Sequence, residues 1–524
     1  MQDRTTWDAI VVGAGHNGLV AACYLAKAGK NVLVLERYHT VGGAAITEEI
    51  HPGFRVSVAS YSCSLFRPEI MQDLRLADYG LQVYAKDPSY FMPFPDGRYL
   101  MLYAGNRAMS KAEIAKFSVR DAEAYDAWED FWDRVAAIVD PTLMQPPLSW
   151  GELADRFERA GALADFRRIM LLSTADLLHE FFESEAVKAA MATQAVIGST
   201  VGPMSPGSPY VWLLHAVGKA MGQRGVWGYV RGGMGSITQA LAQAAQDGGA
   251  TIRTSCPVAE ILVEGGVATG VLLENGETIR ARVVLSNADP KRTFLHLCPR
   301  SALPADFRDY IQTCYRSAGT AYKLNLALES LPCYTAAPAD IPTEKICSAT
   351  VDLAPSLHYL EKAWDDCKYG RPSQDPFIEI YTQSPTDPSL VPAGKHILSC
   401  FCQYAPYHPS GRSWDDGLRE EFADRVLEKL AEFAPNIQES VISRQMLSPL
   451  DLERRFGLTG GSIFHGEITP DQSYNLRPMP GFADYRTPLA GLYLCGSGTH
   501  PGGGVSGIPG HNAAQVVLKD WGQI

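Results

Sequence analysis

DAIVVGAGHNGLVAACYLAKAGKNVLVLE, residues 8–36, carries the pattern that decides the fold. Residues 8–12 form an apolar run that predicts a buried strand. Residues 17–28 predict a helix, with Leu19, Tyr24 and Leu25 among its apolar positions. Gly29 and Lys30 supply a stop, and residues 31–35 form a second apolar run. Strand, helix and strand within about thirty residues make a βαβ unit, so the strands should lie parallel with a right-handed crossover. The expected class is α/β.

The turn inside this unit reads Gly13-Ala14-Gly15-His16-Asn17-Gly18. It follows one strand and opens a helix, as a dinucleotide fingerprint does. Gly13 permits the tight turn, Gly15 lets backbone approach a pyrophosphate, and Gly18 lets the helix pack on the sheet. The N–H groups around His16 and Asn17 then face the phosphates at the positive end of the helix. Glu36 ends the second strand, 18 residues after Gly18. A carboxylate there can accept hydrogen bonds from ribose hydroxyls. Beyond it, Arg37 and the run Val41-Gly42-Gly43-Ala44 suit a loop passing close under a cofactor. The competing reading of that run is an ordinary surface loop.

The far end of the chain repeats the theme. LYLCGSGTHPGGGV, residues 492–505, is a strand opening into a glycine turn, with a helix from about Gly510. Gly496, Pro501, Gly502, Gly503, Gly504 and Val505 belong to this turn. Two nucleotide-type turns at opposite ends of one chain fit a long cofactor lying across the domain. FAD has that length, and a helix N-terminus near its pyrimidine would stabilise the reduced ring. The alternative is an NAD enzyme with an unrelated glycine-rich loop.

With 524 residues, the chain exceeds the size of a single growing core, so two or more domains are expected. Net charge is −12 and the pI near 5.5, with no basic tract; nucleic-acid binding is not expected. The 11 cysteines include no CxxC, which suggests reduced thiols in the cytoplasm. Residues 1–7 lack the basic-then-apolar pattern of a secretory signal. Asp176 and His179 interrupt the apolar stretch 169–182, and no run has a membrane span's length. Membrane contact, if any, should be peripheral.

Between the two turns, residues 69–99 look mixed and residues 107–194 mostly helical, broken near Pro141, Pro146 and Pro147. A loop is expected at 202–209 and a helix at 236–246. Short strands follow at 251–253, 258–263, 267–273 and 278–285, turned at Gly265-Gly266 and Asn275-Gly276. A strand at 323–329, proline-rich loops to about Gly394, and a helix at 416–434 complete the pattern. The expected architecture is a Rossmann-type cofactor domain, discontinuous over residues 1–90, 225–300 and 480–524. Residues 91–224 and 301–479 should form a mixed α+β substrate domain.

Residues 13–19 (GAGHNGL), 229–235 (YVRGGMG), 286–290 (SNADP), 461–466 (GSIFHG) and 495–505 (CGSGTHPGGGV) together resemble the phytoene desaturase-like flavoproteins. That group belongs with the monoamine oxidases. The nearest likeness is to the branch of pyridine nucleotide-disulfide oxidoreductase domain-containing protein 2. The resemblance implies non-covalent FAD, with the Val258 backbone at the adenine end and Gly496 and residues 501–505 along the flavin and pyrophosphate. True disulfide oxidoreductases carry a CxxC and a second dinucleotide fold. This chain lacks the first, and Gly232-Gly233-Met234-Gly235 follows no good strand.

Flavin oxidation needs little acid–base help, because the ring takes the hydride and the protein supplies orientation and dryness. Three side chains are candidates for a catalytic role. Lys323 lies on a strand similar to one in monoamine oxidases whose lysine holds a water on the flavin; the competing reading is a solvated surface lysine. His500 begins the C-terminal turn and would be either a donor or a cap. His465 lies in the FHG run, near substrate or simply structural. No HExxH, P-loop or metal-spaced cluster occurs, so no metal is expected. The expected function is an FAD-dependent desaturase or dehydrogenase oxidising an apolar or partly apolar small molecule, with oxygen or a quinone as acceptor. An oxygen-dependent amine oxidase, a redox-neutral isomerase on reduced flavin and a non-catalytic flavin scaffold remain as alternatives.

Overall fold

A computed structural model of the chain describes residues 6–523. Strand Thr6–Val12 pairs in parallel with Val32–Leu35 on one edge and with Thr278–Ser286 on the other. Outward from Val32–Leu35 lies Thr251–Arg253, also parallel. The first half of Thr278–Ser286 holds the antiparallel hairpin Val258–Glu264 and Val267–Leu273. Its last three residues hold Leu492–Leu494 in parallel. The two ends of the chain therefore meet in one seven-stranded sheet.

Helix His16–Lys27 is buried along most of its length because it lies between the sheet and two other helices, Gly235–Asp247 and Ile508–Asp520. Two glycines make that crowding possible. A Cβ on Gly18 would strike the carbonyl oxygen of Gly13, and one on Gly510 would strike that of Asn17. The start of the last helix thus rests directly on the start of the first.

A second seven-stranded sheet runs in the order Val441–Leu447, Ala321–Leu328, His396–Gln403, Phe377–Tyr381, Thr350–Leu353, Tyr90–Pro93 and Tyr99–Leu102. Its pairs are antiparallel except Thr350–Leu353 against Tyr90–Pro93. The helices Val119–Val139, Thr174–Phe181, Glu185–Ala192 and Pro209–Ala216 share one core around Trp128, Trp132 and Trp212. Among the described residues no helix is long and apolar enough to cross a membrane.

Two expectations are corrected. The segment before Gly394, expected as proline-rich loop, contains strands Thr350–Leu353 and Phe377–Tyr381 and helix Leu357–Lys368. Its prolines punctuate these elements: Pro355 follows the first strand and Pro376 precedes the second. The Gly232–Gly235 cluster does follow a strand, Gly228–Val230. That strand is three residues long and pairs antiparallel with Val83–Ala85, outside both large sheets.

The contact between the two helix starts generates a stability test. Gly510→Ala must push Gly510 away from the Asn17 carbonyl, an overpacking cost of about 1–3 kcal/mol. A clearly lowered apparent melting temperature is expected by scanning calorimetry; an unchanged one would show that the helices are not in contact there.

Candidate functional site

A cavity of about 810 Å³ opens outside the carboxyl ends of the parallel strands and runs on between the second sheet and the helices. Its first part is built by the βαβ unit. Glu36 is buried there. One carboxylate oxygen accepts the Ala14 N–H at 2.7 Å and the other the Tyr38 N–H at 2.9 Å. Burial raises its pKa, and these two N–H bonds pull it back. A carboxylate has about four lone-pair sites, so two remain for a ligand. Arg37, whose guanidinium donates to the Arg454 and Arg455 carbonyls, and Val258 line the same end.

Next along the wall come Gly13, Gly15, His16 and Asn17. Gly13 has a φ of +97°, which a side chain would strain. At Gly15 φ is −69°, so the backbone itself tolerates a side chain. A Cβ there meets only the Asn287 amide nitrogen, at 2.9 Å, and otherwise projects into the cavity. Helix His16–Lys27 has no side-chain cap, which leaves its first N–H groups facing that space. Gly42, Gly43 and Ala44 lie alongside, with the Gly42 N–H donating to the Ala14 carbonyl at 2.9 Å. Gly18 does not line the cavity; it serves the helix contact described above.

The C-terminal turn closes over these elements. Asn17 donates its amide to the Ser497 hydroxyl at 3.0 Å, and the Cys495 N–H donates to the Ser286 carbonyl at 2.9 Å. Gly504 and Val505 line the cavity, just before helix Ile508–Asp520. Gly496, Pro501, Gly502 and Gly503 lie behind it. A Cβ on Gly496 would meet the Asn287 carbonyl at 2.6 Å, and one on Gly503 would strike Phe464. His465 lines the cavity, with a φ of +57° and an unpartnered Nδ1. Burial lowers its pKa, as it lowers that of His16 to about 4. His500 does not line the cavity. It is buried, held at about 4 by that burial, and its Nε2 lies 3.4 Å from the Thr142 carbonyl.

Beyond the turns, the cavity widens between helices carrying Trp128, Trp132, Trp212 and Met191 and a wall of the second sheet carrying Glu379, Tyr381 and Phe401. Tyr61 joins that wall from the loop after strand Phe54–Ser57, where the Ser60 N–H binds the Ala44 carbonyl. Its hydroxyl donates to Glu379 at 2.8 Å. At the outer mouth, Arg107 pairs with Asp133, and Arg224 with Glu129 and Asp133.

Sheet register explains the ionisable groups of this wall. Lys323, Phe401, Glu379 and Asp352 stand opposite one another across four strands. Lys323 is therefore buried, not a solvated surface residue; it lies behind Tyr61 and donates to the Ser399 hydroxyl. Asp352 and Glu379 are like charges directly opposite, so both cannot ionise comfortably. Burial, then Glu379 beside it, holds the Asp352 carboxyl far above the ordinary range. Nearby Thr193 and Tyr90 oppose this weakly, and neither Asp352 oxygen has a partner in good geometry.

Sequence reasoning missed the wall and Asn287. The latter donates to the Gly13 carbonyl at 3.3 Å and packs against Gly15 and Gly18. Its run, residues 286–290, carried family likeness in the sequence but no role; in the fold Ser286 pairs with Val12, so the next residue faces Gly13.

A family model described as flavin containing amine oxidoreductase matches residues 18–518. The chain is 42% identical over 548 residues to pyridine nucleotide-disulfide oxidoreductase domain-containing protein 2 of Rattus norvegicus, covering 99% of this chain and 94% of the relative. It is 27% identical to the neurosporene-forming phytoene desaturase of Cereibacter sphaeroides, over 98% of this chain and 94% of that one. Among solved structures, putrescine oxidase bound to putrescine superposes with a TM-score of 0.63 and covers 99% of both chains. At 17% identity that likeness shows the fold.

The Asp352 environment fixes the sign of a pH effect. A folded-state pKa above the unfolded one favours the folded state at low pH, and that advantage is lost as pH rises through the folded pKa. Asp352→Asn removes this loss. The variant should gain on wild type by at least about 1 kcal/mol between about pH 5 and pH 8 in urea unfolding. A constant difference across that window would contradict the assignment.

Proposed function

The chain belongs to the flavin-containing amine oxidoreductase family, and from that premise we propose that it holds FAD along the cleft and oxidises an apolar or partly apolar small molecule. The observation that carries this reading is the continuity of the cavity. One space joins Glu36 and the uncapped start of helix His16–Lys27 to an aromatic compartment. A cofactor with a nucleotide at one end and a redox ring at the other spans such a space. Bound flavin supplies a two-electron acceptor.

The residues fit that cofactor. Glu36 would accept the ribose hydroxyls beside Arg37 and Val258. Gly15 leaves its Cβ space free, and the N–H groups after it face a pyrophosphate. Gly42, Gly43 and Ala44 support the middle of the cofactor, and Gly504 and Val505 its flavin end. Gly496 and residues 501–503 act from behind, as packing. The cofactor domain comprises residues 1–90, 225–300 and 480–524; every strand of the first sheet falls inside these limits, which supports the division. The substrate domain is the remainder.

Inside the compartment, the protein orients substrate and excludes water. Trp128, Trp132 and Trp212 pack with ring centroids 4.8–5.7 Å apart and present a rigid apolar wall. An apolar ligand fits that lining, and one relative is named a phytoene desaturase. Of the three catalytic candidates, His465 alone reaches the cavity. Lys323 acts through Tyr61, 4.0 Å from its ring centroid, and His500 through the C-terminal turn. Electrons leave to oxygen or a quinone.

Two outcomes test this reading. Gly15→Val should fold normally and carry no flavin, because the new side chain occupies the pyrophosphate position; normal visible absorbance in the folded variant would refute the site. Under argon, an apolar donor found by screening should bleach the oxidised flavin, and NADPH should not at a comparable rate. The second sheet is mixed and offers no second parallel strand–glycine turn–helix unit among the described residues. Rapid bleaching by NADPH would reverse the proposed direction of hydride flow.

A further inference from the structure

The Tyr61–Tyr381 wall is already occupied by the protein's own amines. The two rings lie 4.4 Å apart. Lys323 Nζ stands 4.0 Å from the Tyr61 ring centroid, and Lys86 Nζ 3.8 Å from that of Tyr381 and 4.8 Å from that of Tyr229. Each ammonium has a hydroxyl, not an acid, as its polar partner. Lys86 donates to Thr350 at 2.9 Å, and Lys323 to Ser399. Both lysines are buried. Glu379, bonded to the Tyr61 hydroxyl, is the carboxylate that faces the cavity at this point.

An ammonium ligand gains most from two things, an aromatic face and a carboxylate, when water is excluded. Here two internal amines lie against the rings from behind and share the field of Glu379, whose pKa burial raises and the Tyr61 hydroxyl and both lysines pull back. Asp352 does little to restore the balance, since burial and then Glu379 push its carboxyl toward the neutral form. The hydroxyls of Tyr61, Tyr90, Tyr229 and Tyr381 are likewise pushed toward the neutral form by burial. On the strand between Lys323 and Glu379, burial raises the Cys402 thiol well above its ordinary range. A third cation would meet two like charges in a low-dielectric space.

We infer that this wall selects an uncharged oxygen group, a hydroxyl or carbonyl on an otherwise apolar molecule, and excludes alkylammonium, with Lys86 as the residue that sets the preference. The inference rests on the reading that this compartment takes the substrate. A hydroxyl can donate to Glu379, which lines the cavity, and adds no charge beside the two lysines behind the rings. The compartment's Trp128, Trp132 and Trp212 take the apolar remainder.

The test compares two ligands of one shape, cyclohexanol and cyclohexylammonium chloride, on the flavin-loaded protein by calorimetry. Titration is done at about pH 6, below the value of about 7 to which burial draws both lysines. Wild type should bind cyclohexanol at least about tenfold more tightly than cyclohexylammonium. Lys86→Met should raise the affinity for cyclohexylammonium by about tenfold or more, and adding Glu379→Gln should remove that gain. Equal affinities in wild type, binding of neither ligand, or an unchanged preference in a folded Lys86→Met protein would overturn the inference. Should the variant fail to fold, the wild-type comparison decides alone. Flavin content is read separately from visible absorbance, so a protein lacking flavin would sink the cofactor reading while calorimetry still judges this one.

Discussion

Parallel pairing of strand Thr6–Val12 on both of its edges is the constraint from which the site follows. Parallel neighbours end on the same side of a sheet, so Gly13, Glu36 and Asn287 emerge together, and Leu492–Leu494 adds the C-terminal turn beside them. Ligands of open α/β sheets lie outside those carboxyl ends. The helices that follow the first and last strands then converge, and Gly18 and Gly510 permit backbone contact where any side chain would part them. Two helix N-termini brought this close make a concentrated set of N–H donors and positive dipole ends. The anion-binding character proposed for the cleft would thus be a property of topology, fixed before any single side chain is chosen.

The second sheet works by a different rule. Its antiparallel register stacks ionisable residues in a row, and the buried setting prevents all of them from carrying charge. Lys86 and Lys323 lie over tyrosine rings instead of forming ion pairs, and burial pushes Asp352 toward its neutral form. On the proposed reading, the first sheet holds the cofactor and the second governs what reaches it. The aromatic helices complete the enclosure, with ion pairs of Arg107 and Arg224 at the mouth.

Much of this was legible in the sequence because the cofactor half depends on backbone geometry, and glycine records backbone geometry directly. Residues 8–36 gave strand, turn, helix and strand within two residues of their observed bounds. The motifs at 13–19 and 495–505 carried a family likeness that the 42% identical relative bears out. The wall was not legible. Strands Thr350–Leu353 and Phe377–Tyr381 are buried on both faces, so they show no polar–apolar alternation, and the prolines around them dominated the reading. Lys323 looked like a surface lysine for the same reason: its burial comes from neighbours some 75 positions further along the chain, such as Ser399, and no local pattern signals them. Asp352 and Glu379 face each other only through register, which a sequence does not display.

Reconstitution of flavin-free protein with FAD and with FMN, side by side, tests most directly whether the cavity works as one site from Glu36 to Tyr61. FMN lacks the adenosine part that Glu36, Arg37 and Val258 are placed to meet. FAD should bind one per chain and at least about a thousandfold more tightly than FMN. Equal affinity for the two would show that the Glu36 end contributes nothing, and would contradict a cofactor stretched along the cleft.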